Sequence, residues 1–329
     1  MYKSRRPRVS AIIPTYNRAA FLKEALEAIL SQTEPPDEVI VVDDGSTDDT
    51  QTVVTQSFSE VRYLRITNSG APVARNAGAA QASGSWLWFC DSDDLWRPEY
   101  LARVRALIGA EPTPRFVFGN FRLVHDGVWD GRTKFQDAPD GFWHDLHVVR
   151  PHGDWLFSHS LYERLLTFQP IFHSTLVVER CLFETIGGYD SRFARTGSED
   201  FEFVLRCASH GPAGVIRDAL VGIRRHYGNA SAGQLNNLLG EIEILRHASL
   251  HHHAAHAILP AIECQIALRS RQALELAFTA GDYARVRSLS ATTKDNWTTG
   301  IKPRVKMLLA ALPPRLRSPA ISLLTRSAR

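Results

Sequence analysis

The sequence predicts an α/β fold, a mainly parallel sheet flanked by helices, followed by a helical C-terminal region. Three observations predict it. Between Val9 and about Asn120, short β-branched apolar runs alternate with stretches of helical periodicity, as in successive βα units. Two of these runs end in acidic turns, Asp43-Asp44 and Asp91-Ser92-Asp93, at the carboxyl ends of strands, where open α/β sheets bind ligands. From about Leu235 onward only helical pattern remains. The expected division is residues 1–232 for the α/β part and 233–329 for the helical part.

Taken in order, Val9 to Ile13 reads as a first strand. Asn17 is the expected N-cap of a helix whose apolar face is Leu22, Ala25, Leu26, Ile29 and Leu30, at spacings of i, i+3, i+4, i+7 and i+8. Glu38 to Val42 is a second, buried strand, and the turn from Asp43 to Asp48 opens another helix, with Asp44, Asp48 and Asp49 read as capping and solvated charges. Val61 to Arg65 is a third strand, and Pro72 starts a helix that ends near Gly84. Ser85 to Cys90 is a fourth, in which Trp86 and Trp88 read as core. Pro98 to Ile108 reads as helix, Phe116 to Val124 as strand, Thr175 to Val178 as strand and Glu199 to Ala208 as helix. His125 to Gln169, rich in aromatic, His and Asp residues, has no clean period and reads as an insertion lining a substrate site. Ala273 to Leu289 reads as a helix-turn-helix around Gly281-Asp282, with tetratricopeptide character but no repeat.

With 329 residues, 44% hydrophobic and 22% charged, disordered and collagen-like classes are excluded. Four scattered cysteines form no C-x-x-C pair, which argues against a disulfide framework or thiolate zinc site and for a reducing compartment. The apolar run after the basic amino terminus stops at Pro14, too short for a signal-peptide core, and no stretch approaches the roughly 18 apolar residues of a membrane span. The expected location is cytoplasmic or peripheral at the inner face of the cell membrane. The net charge of +3 hides seven Lys or Arg and no acid from Asn296 to the end, leaving −4 for the rest. A mildly acidic body points away from nucleic acid. The tail, with Leu308, Leu309, Leu316 and Leu324 among its basic residues, suits either an anionic membrane or docking on the catalytic domain.

Chemistry concentrates at the acidic turns. Two carboxylates one residue apart, as Asp91 and Asp93 are, can both face a hard divalent cation, Mn²⁺ or Mg²⁺, and leave coordination sites for diphosphate oxygens. An isolated D-x-D is also an ordinary polar turn. Glu199-Asp200 is either a charge pair on a helix N-terminus or a general base for an acceptor hydroxyl. His247, His251, His252, His253 and His256 include i, i+4 pairs but no Glu-x-x-His, and read as a solvated helix face.

Five segments in order, SAIIPTYNR, VIVVDDGSTDDT, NSGAPVARNAG, WLWFCDSDD and GSEDFEFVLR, resemble the family 2 glycosyltransferases over roughly Val9 to Ser231. The resemblance implies the GT-A nucleotide-diphospho-sugar transferase fold and inverting, metal-dependent transfer. It implies a nucleotide-sugar donor, with UDP as its nucleotide, and a saccharide or lipid-linked acceptor in surface glycan synthesis. It implies that Pro14, Thr15, Tyr16, Asn17 and Asp43 hold the nucleoside, that Arg75 lies near the diphosphate, and that Asp91, Ser92 and Asp93 serve the ribose and the metal. His226, in IRRHYGNAS, becomes a further metal or diphosphate ligand. Asp200 becomes the catalytic base, supported by Glu199. Two other readings are a non-catalytic nucleotide-sugar-binding scaffold and a sugar nucleotidyltransferase. The second calls for a Gly-rich phosphate loop after the first strand, which Pro14-Thr15-Tyr16-Asn17-Arg18 does not supply. Dehydrogenase and P-loop fingerprints do not occur.

Overall fold

In the computed structural model, which describes residues 6–149, 151–157, 159–194, 196–226, 233–291, 301–313 and 315–316, the chain divides into two compact units, Met1–Ala232 and Gly233–Arg329. The first is built on β1 (Val9–Thr15), which pairs in parallel with β2 (Glu38–Asp43) on one side and β4 (Trp86–Phe89) on the other. β3 (Val61–Arg65) extends the parallel set beyond β2. On the far side of β4 lie β10 (Leu176–Glu179), β6 (Phe116–His125), β11 (Ala213–Arg225), β9 (Asp154–Phe157) and β8 (Leu146–Val149), in that order. β10 runs antiparallel to both β4 and β6, while β6 and β11 are parallel to each other. The short strands β5 (Leu95–Trp96) and β7 (Val128–Trp129) pair with β11 and β6.

Every residue of β1 and β4 is buried, the mark of strands covered on both faces. On one face Val9, Ala11, Ile13, Val39, Val41 and Trp88 join the core formed with Leu22, Ala25, Leu26 and Ile29 of α1 (Ala19–Leu30). On the other, α3 (Ala71–Gln81) lies so close that a Cβ on Gly78 would stand 2.5 Å from the Ile12 side chain and 3.0 Å from that of Val42. Trp86 and Trp88 are core, as their alternation with Leu87 and Phe89 indicates.

Three local readings need correction. Asn17 does not cap α1. It sits in the left-handed region at φ 51°, its side chain accepts the Thr47 N–H at 2.7 Å, and Asp48 instead accepts the Ala19 N–H at 3.0 Å. Asp44 is buried rather than solvated, accepting the Ser69 and Gly70 N–H groups at 2.7 and 2.8 Å. The 125–169 stretch contains β7, β8, β9 and a helical turn, α5 (Tyr162–Leu165), and its aromatics pack on one another, with Phe135 and Trp143 4.3 Å apart and Trp143 and Trp155 5.5 Å apart. Such mutual packing gives the stretch a core of its own, which no hydrophobic period announces.

Between β4 and β6 lies α4 (Tyr100–Ala110), and α2 (Thr50–Ser57) follows β2. After β10 come α6 (Arg180–Thr185) and α7 (Glu199–Ala208). The second unit comprises α8 (Gln234–His251), α9 (His253–His256), α10 (Leu259–Thr279), α11 (Tyr283–Ala291) and α12 (Ile301–Ala311). Its core is Ile242, Ala273, Leu274, Ala277, Val286, Leu289 and Ala310. The His247 and His251 rings lie 4.3 Å apart, tilted by 36°, and His252 is buried, but no group of three metal-ligating side chains occurs among the described residues. Of the tail, residues 296–300, 314 and 317–329 lie outside the described residues. No described helix is long and apolar enough to cross a membrane.

Candidate active site

The carboxyl ends of β1, β2 and β4 open on the same side of the sheet, because the three strands are parallel and in register from Thr15 beside Asp43 to Ile12 beside Phe89. Asp43 is fully buried and tightly held: it accepts the Ser46 N–H at 2.7 Å and the Tyr63 hydroxyl, and Arg65 lies 3.7 Å away. Burial, and then the Asp43 carboxylate, push the Tyr63 phenol up to about 12, so it stays a donor. Pro14 and Thr15 are buried in β1, with the Thr15 hydroxyl unpaired. Tyr16 is 47% exposed, a large aromatic left open to solvent directly after β1.

Asp91 and Asp93 follow β4 and part company. Asp91 accepts from Arg75 Nη2 at 2.7 Å, while Asp93 is bound by Arg18 Nη1 and by His226 Nε2 at 2.9 Å. The expectation that both face one cation is therefore not met in this geometry, because the turn sends the two side chains toward different partners. Ser92, between them, is buried. His226 stacks on Phe21 at 4.6 Å, and Arg224 also lies over that ring, at 4.9 Å.

Arg75 is a buried side chain held between carboxylates. It is 3% exposed, spans from Asp91 to Glu199 at 3.5 Å, and lies over the Tyr189 ring at 5.3 Å. Burial opposes its charge, but Asp91, Tyr189 and Glu199 hold the guanidinium protonated. The same contacts act in reverse on Asp91: burial raises its pKa, yet Arg75 leads a set of cations that hold it below the ordinary range. Asp200 feels the Arg75 charge only as a lesser influence. Burial, and then the neighbouring Glu199 charge, push it up to about 7, against the modest help of the Phe201 N–H at 2.8 Å. The pair opens α7 from a strained turn, with Gly197 and Ser198 both in the left-handed region at φ 76° and 58°.

Four residues stand in this site without having been singled out from the sequence. Arg18 follows the PTYN segment directly, and Asp94 completes Asp91-Ser92-Asp93-Asp94, so proximity to the motifs was a usable signal for both. His173 and Ser174 come from a 3₁₀ turn, His173–Thr175, about 80 residues downstream, and no pattern marks them. Burial, and then Arg75, push the His173 imidazole down to about 3, so it is neutral.

A mainly parallel sheet with these acidic turns at its strand ends is the GT-A nucleotide-diphospho-sugar transferase fold. Residues 10–166 match the model of Glycosyl transferase family 2. A PGL/p-HBAD biosynthesis glycosyltransferase of Mycobacterium tuberculosis is 32% identical over 245 residues, 73% of this chain and 83% of that relative. The chain belongs to glycosyl transferase family 2. It is also 32% identical over 270 residues to a validoxylamine A glucosyltransferase of Streptomyces hygroscopicus subsp. limoneus, matching 70% of this chain but only 55% of that relative, so it spans about half the latter's length. Among solved structures, S. aureus TarS 1-349 in complex with UDP-GlcNAc superposes with a TM-score of 0.58 at 18% identity, over 92% of this chain and 79% of that one. The mannosyltransferase PcManGT of Pyrobaculum calidifontis, in complex with GDP-Man and Mn²⁺, gives 0.55 at 21% identity, over 94% and 87%. At these identities the likeness is one of fold.

Proposed function

We propose that this chain is an inverting glycosyltransferase that moves a sugar from a nucleotide diphosphate, UDP in the first instance, to a hydroxyl of a saccharide or lipid-linked acceptor. The observation that carries the reading is the Glu199–Asp200 pair joined to Asp91 through the buried Arg75, which puts a carboxylate with a pKa of about 7 next to the donor-side carboxylate. A base poised there takes the acceptor proton near neutral pH. The acceptor oxygen bonds to the anomeric carbon as the bond from that carbon to the diphosphate oxygen breaks. The proton passes to Asp200, and the nucleoside diphosphate leaves from the opposite face. Tyr16, Asn17 and Asp43 border the nucleoside, and Asp91 the ribose and sugar.

The residues present fit a divalent cation. Asp93 Oδ2 and His226 Nε2 are 2.9 Å apart, close to the roughly 3.0 Å between adjacent ligands of an octahedral ion with bonds of about 2.1 Å. Asp93 and His226 would be the protein ligands, diphosphate oxygens and water would supply the others, and Arg18 would have to leave Asp93. When bound, the cation neutralises the charge that develops on the leaving diphosphate.

The outward face of α12 and the residues after it, Arg304, Leu308, Arg315 and Leu316, supports contact with an anionic membrane, with Leu308 69% and Leu316 60% exposed. Flotation of the full chain and of an Arg304→Glu, Leu308→Glu, Arg315→Glu variant on anionic vesicles tests this, and equal flotation refutes it.

Thermal shifts with UDP, GDP, dTDP and CDP, each with and without Mn²⁺, test the donor site. The reading holds if one nucleotide stabilises in a metal-dependent way and Asp93→Ala abolishes the effect. A chain that binds nucleotide-sugar but whose Asp200→Asn variant loses nothing measurable is a binder and not a transferase.

A further inference from the structure

Asp94 has no part in the transfer just set out, yet its carboxylate is buried and both of its oxygens are engaged. It is 4% exposed, and both oxygens are used: Oδ2 accepts from the Ser174 hydroxyl at 2.5 Å and Oδ1 from the Arg224 N–H at 2.9 Å. The Ser174 oxygen, itself wholly buried, also accepts the Asp91 N–H at 3.0 Å. The turn that carries Ser174 is fixed in its turn. Trp96 Nε1 donates to the Ser174 carbonyl at 2.8 Å, and the Tyr100 hydroxyl donates to the Thr175 carbonyl at 2.5 Å.

Three segments distant in sequence meet at this carboxylate: the end of β4, the 173–175 turn and the end of β11. Asp94 follows Asp93 directly, and Arg224 precedes His226 by two residues. The Asp94–Arg224 hydrogen bond, anchored from behind by Ser174, is thus the link between these segments nearest to Asp93 and His226 that comes from outside the pair and Arg18, and it continues the β5–β11 pairing of Leu95 with Gly222. A side chain needed only to fill this space would be apolar, since a buried carboxylate is costly unless its hydrogen bonds do something an apolar group cannot.

We infer that Asp94 and Ser174 are positioning residues that hold Asp93 and His226 as a preformed pair. The inference rests on the reading above for the pair's use, a divalent cation carried by the nucleotide diphosphate. It assigns roles to two residues that the transfer chemistry leaves unused. Outer-shell groups of this kind change metal affinity about 10- to 100-fold when removed.

The test uses full-length Asp94→Ala, Asp94→Asn and Ser174→Ala in two measurements. Asn retains the oxygen that accepts from Arg224, and its amide can donate to Ser174, so it is the conservative rescue. In ligand-free protein, amide hydrogen exchange across 222–226 should rise about tenfold or more in Asp94→Ala, rise less in Ser174→Ala and stay near wild type in Asp94→Asn, with exchange in α1 unchanged. With saturating UDP, Mn²⁺ affinity measured by electron paramagnetic resonance should fall in the same order, by about tenfold for Asp94→Ala, while UDP affinity in EDTA changes less than twofold. Unchanged exchange at 222–226, or Mn²⁺ affinity lost equally in Asp94→Asn and Asp94→Ala, overturns the inference. If Asp94→Ala does not fold, Ser174→Ala and Asp94→Asn decide it on the same readouts. If wild type binds no Mn²⁺ with UDP or GDP, the metal-dependent reading fails, and the exchange pattern alone decides whether Asp94 sets the pair.

Discussion

Replacing Asp200 by Asn should stabilise the protein while abolishing transfer, and the size of the gain should depend on pH. The carboxyl is pushed from 3.8 to about 7 by burial and by Glu199, so the folded state holds a proton that the unfolded chain has released. Stability then falls as pH rises from about 4 to about 7 and stays low above that, because the folded pKa is the higher of the two. At about 1.4 kcal/mol per tenfold change, the upper bound is about 4 kcal/mol. Asp200 is only half-buried, and solvent screening reduces this to about 2 kcal/mol. For a unit of this size that is a rise in Tm of about 4–8 °C near pH 8, shrinking to about 1–3 °C near pH 5. Asn keeps the oxygen that accepts the Phe201 N–H, so the substitution removes the charge without removing that bond. Scanning calorimetry at the two pH values, beside turnover with the donor found by thermal shift, makes the measurement. A variant no more stable than wild type near pH 8, or one that retains turnover, refutes the reasoning.

Glu199→Gln removes the like charge that raises Asp200, so the acidic limb of the kcat/KM profile, expected near pH 7 in the wild type, should move to lower pH. Arg75→Met leaves the Asp91 and Glu199 carboxylates facing each other without their buried cation, and should cost about 3–5 kcal/mol in chemical denaturation. Tyr16→Ala, at a site 47% exposed, should leave Tm within about 1 °C and weaken UDP binding by about tenfold in calorimetric titration.

Much of this was legible in the sequence because it rests on short-range rules. The β-branched runs Val9 to Ile13 and Glu38 to Val42 are strands since both faces are covered, and the face Leu22, Ala25, Leu26 and Ile29 follows from helical spacing alone. The direction of β10 was not legible: an antiparallel strand between β4 and β6 is set by the path the chain takes from the 125–169 stretch, not by the strand's own residues. Nor was the cap of α1, where Asp48 bonds the Ala19 N–H from 29 residues away and leaves Asn17 to close on Thr47. At the site, motif residues were visible by type, but their partners were not. That Asp91 belongs with Arg75, and Asp93 with Arg18 and His226, depends on how three strand ends converge.

That division of partners also explains how one cluster of carboxylates can play opposite parts. Asp91 and Asp200 are both held against burial and share Arg75 as their nearest cation through Glu199, yet their pKa values move apart. The difference lies in what each touches. Asp91 receives the guanidinium directly at 2.7 Å, which favours its ionised form, as the binding role proposed for it needs. Glu199 takes the other arm of Arg75 at 3.5 Å, and by doing so it places its own negative charge beside Asp200 instead of relieving it. Environments that push paired carboxylates apart in this way separate a binding group from a proton-transfer group. Moving the guanidinium from Glu199 to Asp200 would pull the latter down and take the proposed base away from neutral pH. The left-handed Gly197-Ser198 turn directly precedes the two residues, so they enter α7 at its first turn, Glu199 on Arg75 and Asp200 beside it.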